Sequence, residues 1–362
     1  MPSYDYLIYA MASGETSQAY AVIKQMQKRL LTSVLAIGKP IGEHFFGDHT
    51  SDIPYEYAPT TKELKILVEK YHPKKMLFFN SKSFRRESDF IINKPLFLKQ
   101  IPCFTLDSNW LFENSQIYPS IRWADKNFVN FPPELFEMGL KKKGGYFAID
   151  EHVLARIHPI GFIPSYQKIS PEERTQIRAK LGVMAEQKLI FCYFSGFGAQ
   201  ARTWVFENLI KSLDILNNPQ IKVVYAGDTS LLDSSLLSRP YLINAKGLDI
   251  NNFYKTLSAS DLIFQHQGLA TMAQGIAAQI PIIANVSFYK DEELPYLHKG
   301  EIEPFEKLGL CRLFEKTTSI DLIIQAIKTL LFDKPTIDMM NNSQKRLSSI
   351  GEEVLINEVE MT

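Results

Sequence analysis

The stretch "SDLIFQHQGLATMAQGIAAQIPIIANV", from Ser260 to Val286, limits the possible folds of this chain more than any other. An apolar run ends at Gln265, Gly268 permits a sharp turn, "LATMAQGIAAQ" has the small residues and spacing of a helix, and Pro281 opens a second apolar run. Two short apolar runs joined by a helix of this length make a βαβ unit, which needs a parallel sheet around it. A single His266 stands where the strand passes into the helix. Two readings of it stay open: an imidazole donating to an anion at the helix N-terminus, or a strand-end His that satisfies a backbone carbonyl.

The same alternation runs through most of the 362 residues. "YDYLIYA", "SVLAIG", "KKMLFFN", "IPCFTLD" and "DKNFVNF" read as strands of a first sheet; the Gly-, Pro-, Asp- and Tyr-rich stretch 40–60 reads as loop. "TSQAYAVIKQMQKRL" reads as a helix with Ala19, Val22, Ile23, Met26 and Leu30 on one face. Pro159, Gly161 and Pro164 then break the pattern, which places a linker around 161–170. After it, Ser170 caps a charged helix with Pro171 at its first position and Glu173 three residues on. "KLIFCYFSG", "IKVVYAG", "YLINAKG", "SDLIFQH" and "PIIANV" follow as strands of a second series. The expected architecture is α/β, with two Rossmann-like domains whose parallel sheets face each other across a cleft. Residues 1–163 form the first domain, 164–335 the second, and 336–362 a C-terminal helix able to pack back on the first.

Lys and Arg together number 40, as do Asp and Glu, so the net charge is zero and no global field favours nucleic acid. Two basic runs, "SKSFRRES" and "GLKKKGG", read as solvated loops, with peripheral membrane contact as the alternative. Cys103, Cys192 and Cys311 are widely spaced, which fits neither a zinc site nor a disulfide framework. His44, Asp48 and His49 have the right residue types for a metal but no common zinc spacing, and no metal is expected. The N-terminal apolar run is too short for a signal peptide or a spanning helix, so the expected location is cytoplasmic.

A second candidate for anion binding is "YFSGFGAQART", from Tyr193 to Thr203, where Ser195, Gly196 and Gly198 lie between a strand and a helix. Glycines there allow close backbone approach to a phosphate, or they form a plain tight turn. The order of this loop, "KVVYAGD", and "LSASDLIFQHQGLATMAQGIAAQIPIIANV" resembles the nucleotide-sugar half of GT-B glycosyltransferases. The likeness is greatest to the UDP-sugar enzymes, among them the lipid I N-acetylglucosaminyltransferases, and the first half is similar only in layout.

The resemblance implies that His266, Gly268, Leu269, Ala270 and Thr271 face the donor diphosphate, with Ser195, Gly196 and Gly198 as the other diphosphate loop. It implies a contact from Leu248 to the nucleotide base. Gln274 stands where the family carries a ribose-binding Glu, which removes a charge-assisted bond. His298 and Glu301 stand where the donor sugar meets Gln and Asn in the family. The family's catalytic His, in the turn after the first strand, is replaced by Glu15. A carboxylate with an ordinary pKa of about 4.3 is ionised at neutral pH and able to take a hydroxyl proton; Glu15 otherwise only complements a helix dipole. Asp107 is the rival base, beside Trp110 and Phe112 as an acceptor wall, or else it opens a turn.

The implied activity is inverting, metal-independent transfer of a sugar from a nucleotide diphosphate donor, UDP-linked, to a hydroxyl on a small molecule, glycan or lipid-linked acceptor. No cofactor is implied beyond that co-substrate. Two alternatives stay open: a nucleotide-sugar hydrolase or epimerase of the same fold, and a degenerate, non-catalytic nucleotide-sugar-binding subunit.

Overall fold

The computed structural model describes residues 3–10, 13–31, 33–38, 53–79, 94–107, 123–142, 155–164, 169–194, 203–227, 229–230, 232–243, 250–266, 268–286, 302–348 and 351–362. The chain divides into two compact units, one of Met1–Ser165 with Ser349–Thr362, the other of Tyr166–Ser348.

In the first unit, β1 (Tyr6–Ala10), α1 (Ser13–Lys28), β2 (Val34–Gly38), β3 (Tyr55–Tyr57), α2 (Thr61–Tyr71), β4 (Lys75–Phe79), β5 (Cys103–Asp107), β6 (Lys126–Val129), α3 (Pro133–Lys142) and β7 (Ile157–Pro159) succeed one another. The second holds α4 (Pro171–Lys180), β8 (Lys188–Tyr193), α5 (Thr203–Leu216), β9 (Ile221–Ala226), β10 (Leu242–Ile243), α6 (Ile250–Ser258), β11 (Leu262–His266), α7 (Leu269–Ala278), β12 (Ile282–Val286), β13 (Arg312–Glu315), α8 (Ile320–Phe332) and α9 (Lys334–Leu347). The chain then returns to the first unit as α10 (Gly351–Met361).

The strand orders are β3-β2-β1-β4-β5-β6-β7 and β10-β9-β8-β11-β12-β13, parallel throughout. Each sheet runs outward from its first strand in one direction and then reverses, so β1/β4 and β8/β11 are the points where the order switches. This is the Rossmann-like arrangement expected from the sequence, and ligands of such sheets bind beyond the C-terminal ends of the strands at the switch. Central strands such as β2, β11 and β12 are buried along their whole length, as parallel strands covered by helices on both faces must be.

Every apolar run quoted above contains a strand, whereas β3, β7 and β13 were not foreseen. β3 lies inside the stretch read as loop. In α1, Ala19, Val22, Ile23 and Met26 are buried as expected, but Leu30 is 85% exposed. The helix stops at Lys28, and Leu30 takes a left-handed φ of 63° in the turn that follows, which swings it off the apolar face. Ser170 caps α4 as expected, accepting from the Glu173 N–H at 3.1 Å with Pro171 at the first position. The Glu173 carboxylate instead pairs with Lys255 of α6 at 2.8 Å. All three cysteines are free and buried, and burial pushes the Cys103 thiol up to about 12 and the other two higher still. None is suited to act as a thiolate nucleophile.

Asp261 joins the parts of the second unit. One carboxylate oxygen accepts from Arg174 at 2.7 Å, and the other from Arg178 at 2.8 Å and the Leu189 N–H at 2.7 Å. Burial pushes this carboxyl up, but the Leu189 amide and Arg178 outweigh it and leave its pKa below the ordinary value.

The segment 336–362, read as one C-terminal helix, is divided between α9 in the second unit and α10 in the first. α10 is tied down at both ends. The Gly351 N–H donates to the Phe162 carbonyl at 3.0 Å, Lys75 donates to the Val359 carbonyl at 2.6 Å, and Lys126 pairs with Glu358 at 2.9 Å. Leu355, Ile356 and Val359 line a small apolar cavity together with Ile8, Val22, Met26 and Leu77. A Cβ on Gly351 would lie 2.6 Å from the Gly161 carbonyl oxygen and 2.8 Å from that of Phe162, so backbone fills the space a side chain needs. Gly351→Ala should lower Tm by several degrees and expose the segment after 348 to limited proteolysis; an unchanged Tm would contradict this packing.

Glu352, in the first turn of α10, has a buried Oε2 with no hydrogen-bond partner, and burial pushes its carboxyl up to about 7. The unfolded chain ionises this group near its ordinary 4.5, so its contribution to stability is intact below that pH and lost as pH rises to about 7. Melting curves of Glu352→Gln should coincide with wild type near pH 4, then rise above it progressively up to pH 7, with no further divergence at higher pH.

Candidate functional site

At the switch point of the second sheet, β8 ends at Tyr193 and β11 at His266. The imidazole is 6% exposed and its ring centre lies 4.9 Å from that of Tyr193. Tyr193 is held in turn by Phe253 of α6, edge to face at 5.2 Å. Next comes a tight turn in which the Gly268 N–H donates to the His266 carbonyl at 2.7 Å. Gly268 is the N-cap of α7, with ordinary φ and ψ of −64° and 108°, so the need for glycine there is spatial. A Cβ on Gly268 would lie 3.1 Å from Cε1 and 3.4 Å from Nε2 of His266, and 3.6 Å from the Thr271 hydroxyl. Imidazole, hydroxyl and helix N-terminus therefore converge on one point.

A glycine cap supplies no side-chain acceptor, and the first turn of α7 carries no acid. The positive end of its dipole is therefore offset by neither a capping side chain nor an acid of its own first turn. Leu269 and Ala270 form the start of this turn and are half-buried, and Thr271 is buried. The sequence-predicted residues His266, Gly268, Leu269, Ala270 and Thr271 are thus brought together. Gln274 lies deeper in α7, 1% exposed, and its Nε2 donates to Ser258 Oγ of α6 at 3.2 Å. Ser195, Gly196, Gly198, Leu248, His298 and Glu301 lie outside the described residues, as do His44, Asp48, His49, Trp110, Phe112 and the basic run 81–88; the second basic run, read as loop, begins instead within α3, which extends to Lys142.

In the first unit, Glu15 sits in the first turn of α1, 7% exposed, among the buried polar residues Thr16, Ser17 and Gln18. Asp107 is the last residue of β5, in register with Val129 of β6, and β4 separates its strand from β1. Tyr193 and Asn285 were missed as site residues. Asn285 of β12 is fully buried, and its Nδ2 donates to the Gln265 carbonyl at 2.9 Å. Their signal lies in register: Tyr193 stands beside Gln265 and Asn285 beside His266.

No protein-family model matches the chain. No curated protein matches it either. Among solved structures it is similar over nearly its whole length to three GT-B proteins, which shows that it has that fold of two Rossmann-like domains. One is MurG of Acinetobacter baumannii, 13% identical with a TM-score of 0.60, covering 100% of both chains. Another is the glycosyltransferase SnogD of Streptomyces nogalater, 12% identical with a TM-score of 0.67, covering 99% of both. The third is the UDP-GlcNAc 2-epimerase of Neisseria meningitidis bound to UDP-GlcNAc, 11% identical with a TM-score of 0.67, covering 99% of this chain and 100% of that one. Among the described residues no helix is long and apolar enough to cross a membrane.

Gly268→Ala should push the imidazole aside by a few tenths of an ångström without disturbing the sheet. The 1H–13C signals of the His266 ring should therefore shift at nearly constant Tm; unmoved ring signals would contradict this packing.

Proposed function

We propose that the chain is a glycosyltransferase that moves a sugar from a nucleotide diphosphate donor, UDP-linked, to a hydroxyl acceptor with inversion at the anomeric carbon. The observation that carries this reading is the open N-terminus of α7 with His266 and Thr271 converging on it. As the bond from anomeric carbon to diphosphate breaks, negative charge builds on the leaving oxygens. Fixed amides and an imidazole N–H already aimed there stabilise it without reorganising. The second unit would hold the donor and the first the acceptor.

Glu15 is the proposed base, with Asp107 as its rival: one carboxylate takes the acceptor's proton while its oxygen attacks the sugar. A difference between the two helices favours placing the donor in the second unit. The first turn of α1 carries an acid and that of α7 carries none, so α7 is the better place for a diphosphate.

The likeness to a UDP-GlcNAc 2-epimerase, equal in TM-score to that with SnogD, favours a second reading. In that reading the same diphosphate site serves a reaction on the donor sugar itself, either epimerisation or hydrolysis.

Isothermal titration and product analysis test both. His266→Ala should weaken binding of UDP tenfold or more while uridine binds as before. Glu15→Gln or Asp107→Asn should abolish turnover and leave donor affinity intact. Nucleoside diphosphate released only with an acceptor supports transfer; release in water alone, or a donor recovered with an inverted sugar carbon, supports the second reading. Turnover unchanged in both carboxylate variants would overturn the proposed base.

A further inference from the structure

β11 ends in two consecutive residues that depend on side chains from its neighbours. Gln265 shares a sheet face with Ile263, whose Cδ1 lies beneath Gly275 of α7, and it is flanked in register by Tyr193 and Ala284. It is fully buried, and neither atom of its amide has a hydrogen-bond partner. On the opposite face, with Ile283 and the apolar core of α5 and α8, stands Asn285. Asn285 is also fully buried; its Nδ2 donates to the Gln265 carbonyl, while its Oδ1 has no partner. Unpaired buried amide atoms destabilise a fold, and an apolar residue of similar size would remove that cost. Native proteins keep few such groups, so each calls for a reason.

The reason lies in which carbonyl is bonded. The C=O of Gln265 belongs to the peptide whose nitrogen is that of His266. Its orientation sets the direction in which the strand leaves the sheet and so the aim of the imidazole. β12 is the neighbour that reaches this peptide, because Asn285 is level with His266 in the ladder.

We infer that Asn285 is a positioning residue: it clamps the Gln265–His266 peptide so that the imidazole stays aimed at the N-terminus of α7. The role in binding rests on the donor-site reading above; the clamp itself does not. Asn285→Leu removes both the bond and the unpaired Oδ1. Asn285→Ala removes the donor without adding bulk, so it gives a second test if the leucine variant folds poorly.

Titration of UDP and uridine, together with the 1H–13C signals of the His266 ring, provides the test. Either variant should lose tenfold or more in affinity for UDP and less than twofold for uridine, and the ring signals of the ligand-free protein should shift. A merely structural role would weaken both ligands alike. Equal loss for both, or unmoved ring signals, would overturn the inference. If wild-type protein binds no nucleoside diphosphate, the donor-site reading fails on its own, and the ring signals still decide whether Asn285 sets the imidazole.

Discussion

The second unit depends on Asp261. Its carboxylate is mostly withdrawn from solvent and is compensated by two guanidinium groups and one backbone amide. Removing the carboxylate would leave the buried Arg178 guanidinium without its charge partner, which is costly in a low-dielectric setting. Through this one side chain the helix α4, the start of β8 and the start of β11 share a common anchor. β8 and β11 are also the strands between which the order reverses. The anchor at one end of this strand pair therefore fixes the register of Tyr193 and His266 at the other.

From that register follows the character of the site. An imidazole packed against a tyrosine, a glycine that leaves space beneath it and a helix without a capping side chain form a preorganised positive environment with no Lys or Arg among the residues described there. The first unit offers the complementary case, because its α1 terminus is already occupied by a carboxylate in a buried polar turn. The two helices differ in charge although each follows the strand at which its sheet reverses.

Most of the fold was legible in the sequence because a strand covered on both faces has to be apolar along its length. β1, β2, β4, β8, β11 and β12 all carry that signal. The strands that escaped notice, β3, β7 and β13, are edge strands. "YEY", "IHP" and "RLFE" are short and partly polar, as the exposed border of a sheet tends to be. Leu30 kept the helical period past the point where the helix ended, so periodicity misassigned it. The turn around His266 was legible because strand end, glycine and helix are contiguous. Asn285 and Tyr193 were not, since both arrive from other strands through pairing that only the folded sheet reveals.

The return of α10 to the first unit bears on how the molecule is made. A ribosome releases β1 to β7 before α10, so the face that Ile8, Val22 and Leu77 present to Leu355, Ile356 and Val359 stays uncovered until α10 emerges. The second unit, contiguous in sequence, is complete before then. Of the two units, the one begun first is thus the one completed last, and in the interval its apolar face is exposed to chaperones and to other nascent chains.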